Sequence, residues 1–152
     1  MSNAVLVAFA VILGIGVAGY VLGFGPLKQF GDSLMGKLSA QEIAQFASRA
    51  GFTGTDLQTA VAIALAESSG NPQAHGDTGL GSGSGSFGLW QIYSDAHPEF
   101  GPDFTTLYDP QTNADAAYSV YASAGYSFSP WSTFKGGQYQ AYMGQAGEAV
   151  NA

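Results

Sequence analysis

The sequence predicts a mainly α single domain with a small irregular or β lobe, preceded by one N-terminal transmembrane helix. Three observations carry that prediction. Residues Ala4 to Leu27 form an apolar run of 24 residues without a charge. Behind it lie several stretches of helical hydrophobic spacing, two of them opened by helix-start signatures, with no strand–helix alternation between them. Between these stretches, from Asn71 to about Gln111, the chain turns rich in Gly, Ser, Asp and Pro, which breaks regular structure.

Composition narrows the function classes. Charged residues make up only 10% of the 152, whereas aromatics reach 13%. Four Lys/Arg face eleven Asp/Glu, a formal charge of −7. Nucleic-acid binding rests on phosphate neutralisation by basic groups, so no nucleic acid is expected as a partner. The absence of cysteine excludes disulfides, thiolate metal sites, cysteine nucleophiles and any lipid anchor through Cys. The 22 glycines signal turn-rich segments rather than disorder, because a solvated chain does not carry so many aromatics.

Taken in order, residues 1–27 are the anchor. As a helix, the run from Ala4 would extend about 36 Å, enough to cross a hydrocarbon core of about 30 Å. No Lys or Arg precedes it, unlike a secretory signal peptide, so a retained single-pass helix in a lipid bilayer is expected. Lys28 and Lys37 flank its C-terminal side and bias its orientation only slightly. GIGVAG at 14–19 matches a dinucleotide fingerprint formally, but neither the strand before it nor the βαβ unit around it is present. Residues 28–38 form a juxtamembrane connector, and 39–152 the globular domain.

Within that domain, Ser39-Ala40-Gln41-Glu42 is a capping box, followed at helical spacing by Ile43, Phe46, Ala47 and Ala50 and closed by Gly51. A second box, Thr55 to Gln58, opens a helix that is apolar nearly all round and therefore central to the core. It must stop by Gly70-Asn71-Pro72. A hairpin is expected in the 78–93 region, which contains the glycine–serine stretch 79–86, itself read as a mobile lobe or lid beside a site. A third helix is expected from Thr112 or Asn113 to about Ser123, with Ala114, Ala117, Tyr118 and Tyr121 on its core face, and a last one over roughly 138–149.

Glu67 is the only charge between Leu57 and Pro72, at the C-terminal end of the most apolar helix. Burial and the negative end of the helix dipole both oppose ionisation there. A carboxylic acid that keeps its proton near neutral pH is what a general acid requires. A glutamate simply turned into water is the alternative that position alone leaves open.

The neighbouring residues add a resemblance. Glu67-Ser68-Ser69-Gly70-Asn71-Pro72 is similar to the E-S…N-P motif of the lysozyme-like lytic transglycosylases, and Gly88-Leu89-Trp90-Gln91-Ile92 to their G-L-M-Q-I motif, with Trp for Met. Phe134-Lys135-Gly136-Gly137 corresponds loosely to their Y-N-x-G, without the tyrosine hydroxyl. The likeness spans about Ser39 to Tyr142, and SPWSTF at 129–134 looks like the arrangement in phage-borne members.

The resemblance implies an α+β lysozyme-like fold and cleavage of peptidoglycan glycan strands by one acid, Glu67. A sugar's own 6-hydroxyl would attack, so neither a second carboxylate nor a cofactor or metal is needed. It further implies a substrate-binding set of Ser68, Ser86, Trp90, Gln91, Tyr93, Trp131 and Phe134, with Gln91 bonding a sugar substituent and the aromatics offering faces to sugar rings. Virion or envelope proteins are the partners it suggests.

Other readings stay open. Asp77, Asp95, Glu99, Asp103 and Asp109 are candidates for a second carboxylate in a lysozyme-type hydrolysis. The pairs His75/Asp77 and His97/Glu99 define a metal-dependent amidase or peptidase, although neither has the H-E-x-x-H spacing of helical zinc sites. A non-catalytic, membrane-anchored glycan-binding or structural protein is the third class.

Overall fold

The computed structural model describes residues 36–78 and 84–152. The expected transmembrane helix, residues 4–27, lies outside the described residues, as does most of the connector. Among the described residues no helix is long and apolar enough to cross a membrane.

Helix α1 (Ala40–Ala50) begins at the capping box read from the sequence. The Ser39 hydroxyl accepts from the Glu42 amide at 3.3 Å, and the Glu42 carboxylate accepts from the Ser39 amide at 2.8 Å. Ile43, Ala44 and Ala47 face the core, and Gly51 ends the helix.

Helix α2 (Gly54–Ser68) starts earlier than the Thr55 box. Its N-cap is Thr53, whose side chain makes no capping bond. Thr55 already lies inside the first turn, so its carbonyl serves the helix by accepting from the Thr59 hydroxyl at 2.9 Å. Every residue from Thr59 to Leu65 is buried, as an all-round apolar helix demands. Truncating such a side chain, Ile63→Ala for example, costs about 2–5 kcal/mol. The helix ends at Ser68, with Ser69 in a left-handed conformation.

The lobe that follows holds three two-residue strands, β1 (His75–Gly76), β2 (Ser86–Phe87) and β3 (Ile92–Tyr93), antiparallel in the order β1-β2-β3. His75 pairs with Phe87, and Ser86 with Tyr93. The expected hairpin is thus a three-stranded ladder that starts before residue 78. Two 3-10 turns, Pro98–Phe100 and Phe104–Tyr108, lead to α3 (Pro110–Ser123). That helix begins before the expected Thr112 because Asp109 caps it, accepting from the Thr112 amide at 2.8 Å, with Pro110 at the first helical position. Ala114, Ala117 and Tyr121 are buried and Tyr118 is half-buried. Phe52 receives the rings of Tyr118, Tyr121 and Phe128 at centroid distances of 5.0, 5.1 and 5.8 Å.

A single-turn helix α4 (Ser132–Lys135), absent from the sequence expectation, precedes a 3-10 turn (Gln138–Tyr142) and α5 (Met143–Val150). The stretch expected as one helix over 138–149 therefore divides in two. Gln58 on α2 donates to the Met143 carbonyl at 2.8 Å and ties this C-terminal segment to the core. The architecture is a mainly helical domain with α2 at its centre.

Candidate active site

Glu67 is the penultimate residue of α2, just ahead of the turn that leads into the small lobe. Its side chain is half-buried, and one carboxyl oxygen accepts a hydrogen bond from the Thr133 hydroxyl at 2.7 Å. Burial pushes the carboxyl above the usual carboxylate range, hydrogen bonding from Thr133 opposes that rise, and the negative charge of Asp77 adds to it.

Asp77 follows β1 in a left-handed conformation (φ 54°) and accepts from the Ser86 hydroxyl of β2 at 2.7 Å. The remaining acidic candidates have other tasks. Asp95 accepts from Ser84 at 2.8 Å and Tyr93 at 3.2 Å, and Glu99 pairs with His97 at 3.1 Å. Asp103 and Asp109 cap the elements that follow them. Of the five carboxylates considered from sequence, Asp77 is the one whose charge acts on Glu67.

Two expected sugar platforms belong to the core instead. Trp90 is fully buried, its indole N–H donating to the Ala60 carbonyl of α2 at 2.9 Å. Trp131, 6% exposed, donates its indole N–H to the Trp90 carbonyl at 2.8 Å. Neither ring has a face free for a sugar; both polar handles are satisfied within the protein, which makes complete burial tolerable.

Gln91 sits in a left-handed conformation (φ 48°), and its amide nitrogen donates to the Ala74 and Gly88 carbonyls at 3.1 and 2.9 Å. Its donors therefore brace the lobe in this arrangement. Ser68 is buried, its hydroxyl turned back onto the Ala64 carbonyl at 2.9 Å. Ser86 is buried against Asp77. Tyr93 is half-buried at the lobe surface, and Phe134 is half-buried between Phe128 and Tyr139.

Asn113, read from the sequence only as a possible helix start, shapes the motif loop from α3. Wholly buried, it accepts from the Trp90 amide and donates to the Phe87 carbonyl, both at 2.9 Å. Gly88 lies between them at φ 74°, and a β-carbon there would stand 2.4 Å from both the Asn113 amide nitrogen and the Leu107 carbonyl oxygen. Only glycine fits. Thr133 is the other residue missed. The one available signal was a hydroxyl beside Phe134, where the resembled motif places a tyrosine.

The two His-containing pairs do not converge. The His75 ring stacks on Phe87 at 4.4 Å, whereas His97 pairs with Glu99 alone. Among the described residues no group of three or more His, Asp or Glu side chains is assembled in a way that could hold a metal ion.

One acid held partly out of water beside a carboxylate-bearing hairpin is an arrangement suited to proton donation to a leaving oxygen. No curated protein and no solved structure matches the chain significantly. A family model described as a lysozyme-like domain, however, matches residues 44–133, which include Glu67, the whole small lobe and Thr133. By that match, which fits a glycosidase or lytic transglycosylase acting on peptidoglycan, the chain belongs to the lysozyme-like domain family.

Proposed function

We propose that this domain is a peptidoglycan lytic transglycosylase that cuts the β-1,4 bond between MurNAc and GlcNAc with Glu67 as its catalytic acid and base. The observation that carries the reading is the carboxyl of Glu67, raised above its ordinary range at the end of a buried helix and fixed there by Thr133. In the first step the proton of Glu67 passes to the glycosidic oxygen as the bond to C1 breaks. In the second, the carboxylate takes the proton of the MurNAc 6-hydroxyl as that oxygen bonds to C1. The product is a 1,6-anhydro sugar, and no water is consumed.

Asp77 supports a second reading. A carboxylate whose charge reaches the acid, its oxygen held by Ser86, supports a two-carboxylate hydrolysis as the alternative. Mass spectrometry of digested sacculi separates the two, since an anhydro end is about 18 Da lighter than a hydrolysed one. Glu67→Gln with intact far-UV dichroism should release no muropeptides, and retained release would overturn both.

The apolar run 4–27 is read as a bilayer anchor, and the setting as a virion or envelope protein that opens the wall locally. Flotation of the full chain with lipid vesicles, compared with a chain lacking residues 4–27, tests the anchor.

A further inference from the structure

A closed circuit of hydrogen bonds begins and ends on α2. The Ala60 carbonyl accepts from the Trp90 indole, the Trp90 carbonyl accepts from the Trp131 indole, and two residues later the Thr133 hydroxyl donates to Glu67. Both indoles are buried, so the circuit is shielded where it turns. Trp131 is also the N-cap of α4, and its carbonyl accepts from the Lys135 amide at 3.2 Å, which sets the direction in which Thr133 leaves the backbone.

We propose that Thr133 is the positioning residue of the acid: its hydroxyl holds one carboxyl oxygen of Glu67 as an acceptor, so that the transferable proton resides on the other. The inference rests on the glycosidase reading above. A carboxylic acid presents one carbonyl oxygen and one hydroxyl oxygen, and the carbonyl oxygen is the acceptor a threonine hydroxyl selects. Thr133 thereby fixes the orientation of the acid in the first step. In the second it stays bonded to the carboxylate, where a hydrogen bond to a charged oxygen is stronger.

The ionisable groups around α2 are few. α2 itself carries Asp56, which accepts from Tyr121 of α3 at 2.6 Å; α1 carries Glu42 and Arg49, the 138–142 turn Tyr139 and Tyr142, α5 Glu148, and α4 Lys135. Among the described groups only Asp77 acts on the Glu67 carboxyl through its charge.

The test compares the full-length wild type with Thr133→Val and Thr133→Ser, following the Glu67 carboxyl carbon by NMR titration and muropeptide release against pH. Removal of the hydroxyl should move the Glu67 titration and the alkaline limb of the pH profile upward together. It should also lower kcat roughly ten- to hundredfold, the scale of a hydrogen bond to a charged group. Thr133→Ser should restore the wild-type titration and most of the rate. An unchanged titration in Thr133→Val, or a serine variant as impaired as the valine one, overturns the positioning role. A wild type that releases no muropeptides overturns the glycosidase reading instead, and the NMR titration then reports on the contact independently of turnover.

Discussion

The indole N–H of Trp131 donates to the backbone carbonyl of Trp90 across 2.8 Å, with both rings buried. This one bond joins the C-terminal segment to the motif loop. Trp131→Phe keeps an aromatic ring but strips the donor from a buried carbonyl. The expected loss is about 1–3 kcal/mol, or roughly 4–8 °C of Tm per kcal/mol for a domain near 100 residues. Thermal unfolding followed by circular dichroism checks it, and an unchanged Tm would show the bond to be dispensable.

Asn113 satisfies one donor and one acceptor of the 87–90 loop from inside the core. Asn113→Ala orphans both and should destabilise by about 2–6 kcal/mol, since each buried unpaired group costs about 1–3. Gly88→Ala should be at least as damaging, because its β-carbon would meet backbone as well as side chain. Urea unfolding midpoints measure both, with an unchanged m-value expected if the denatured state is unaffected.

Because folding raises the Glu67 pKa, the native state binds this proton more tightly than the unfolded one. Stability should therefore fall as pH rises from the unfolded carboxylate value through the higher folded one. Glu67→Gln removes that dependence. The variant should be more stable than wild type at neutral pH, and the difference should shrink below about pH 4, where both chains are uncharged at this position. Melting temperatures at a series of pH values give the sign directly.

Asp77→Asn should shift the Glu67 titration downward, opposite to Thr133→Val, because a negative neighbour that favours protonation is gone. If cleavage is of the one-carboxylate kind, the anhydro product persists in this variant. Disappearance of a hydrolysed product on the same substitution would establish Asp77 as the second carboxylate.

Chelation discriminates the enzyme classes. Muropeptide release by a glutamate-based glycosidase should be unaffected by EDTA, whereas a stem-peptide amidase dependent on His75 or His97 would lose activity and regain it with added metal.

The helices were legible where their signals are local. The Ser39–Glu42 box, the all-apolar run of α2 and the spacing of Ala114, Ala117 and Tyr121 each depend on residues three or four apart. The start of α3 was misplaced although Asp109-Pro110 is a cap signature, because the apolar spacing begins later than the helix. The fates of Trp90 and Trp131 were hidden for a different reason. An indole is buried or exposed according to whether a carbonyl meets its N–H, and here those carbonyls lie 30 and 41 residues away in the chain. Thr133 escaped by the same logic, at 66 residues from Glu67. A carboxyl at the end of an oily helix is unusual by itself, so Glu67 stood out, whereas the threonine beside it is ordinary until the chain folds.

Ala60 and Glu67 occupy one helix, seven residues or about 10.5 Å apart. α2 is thus a fixed gauge against which the acid is set. One residue inserted between those positions would either swing the glutamate by about 100° or leave the indole without its carbonyl.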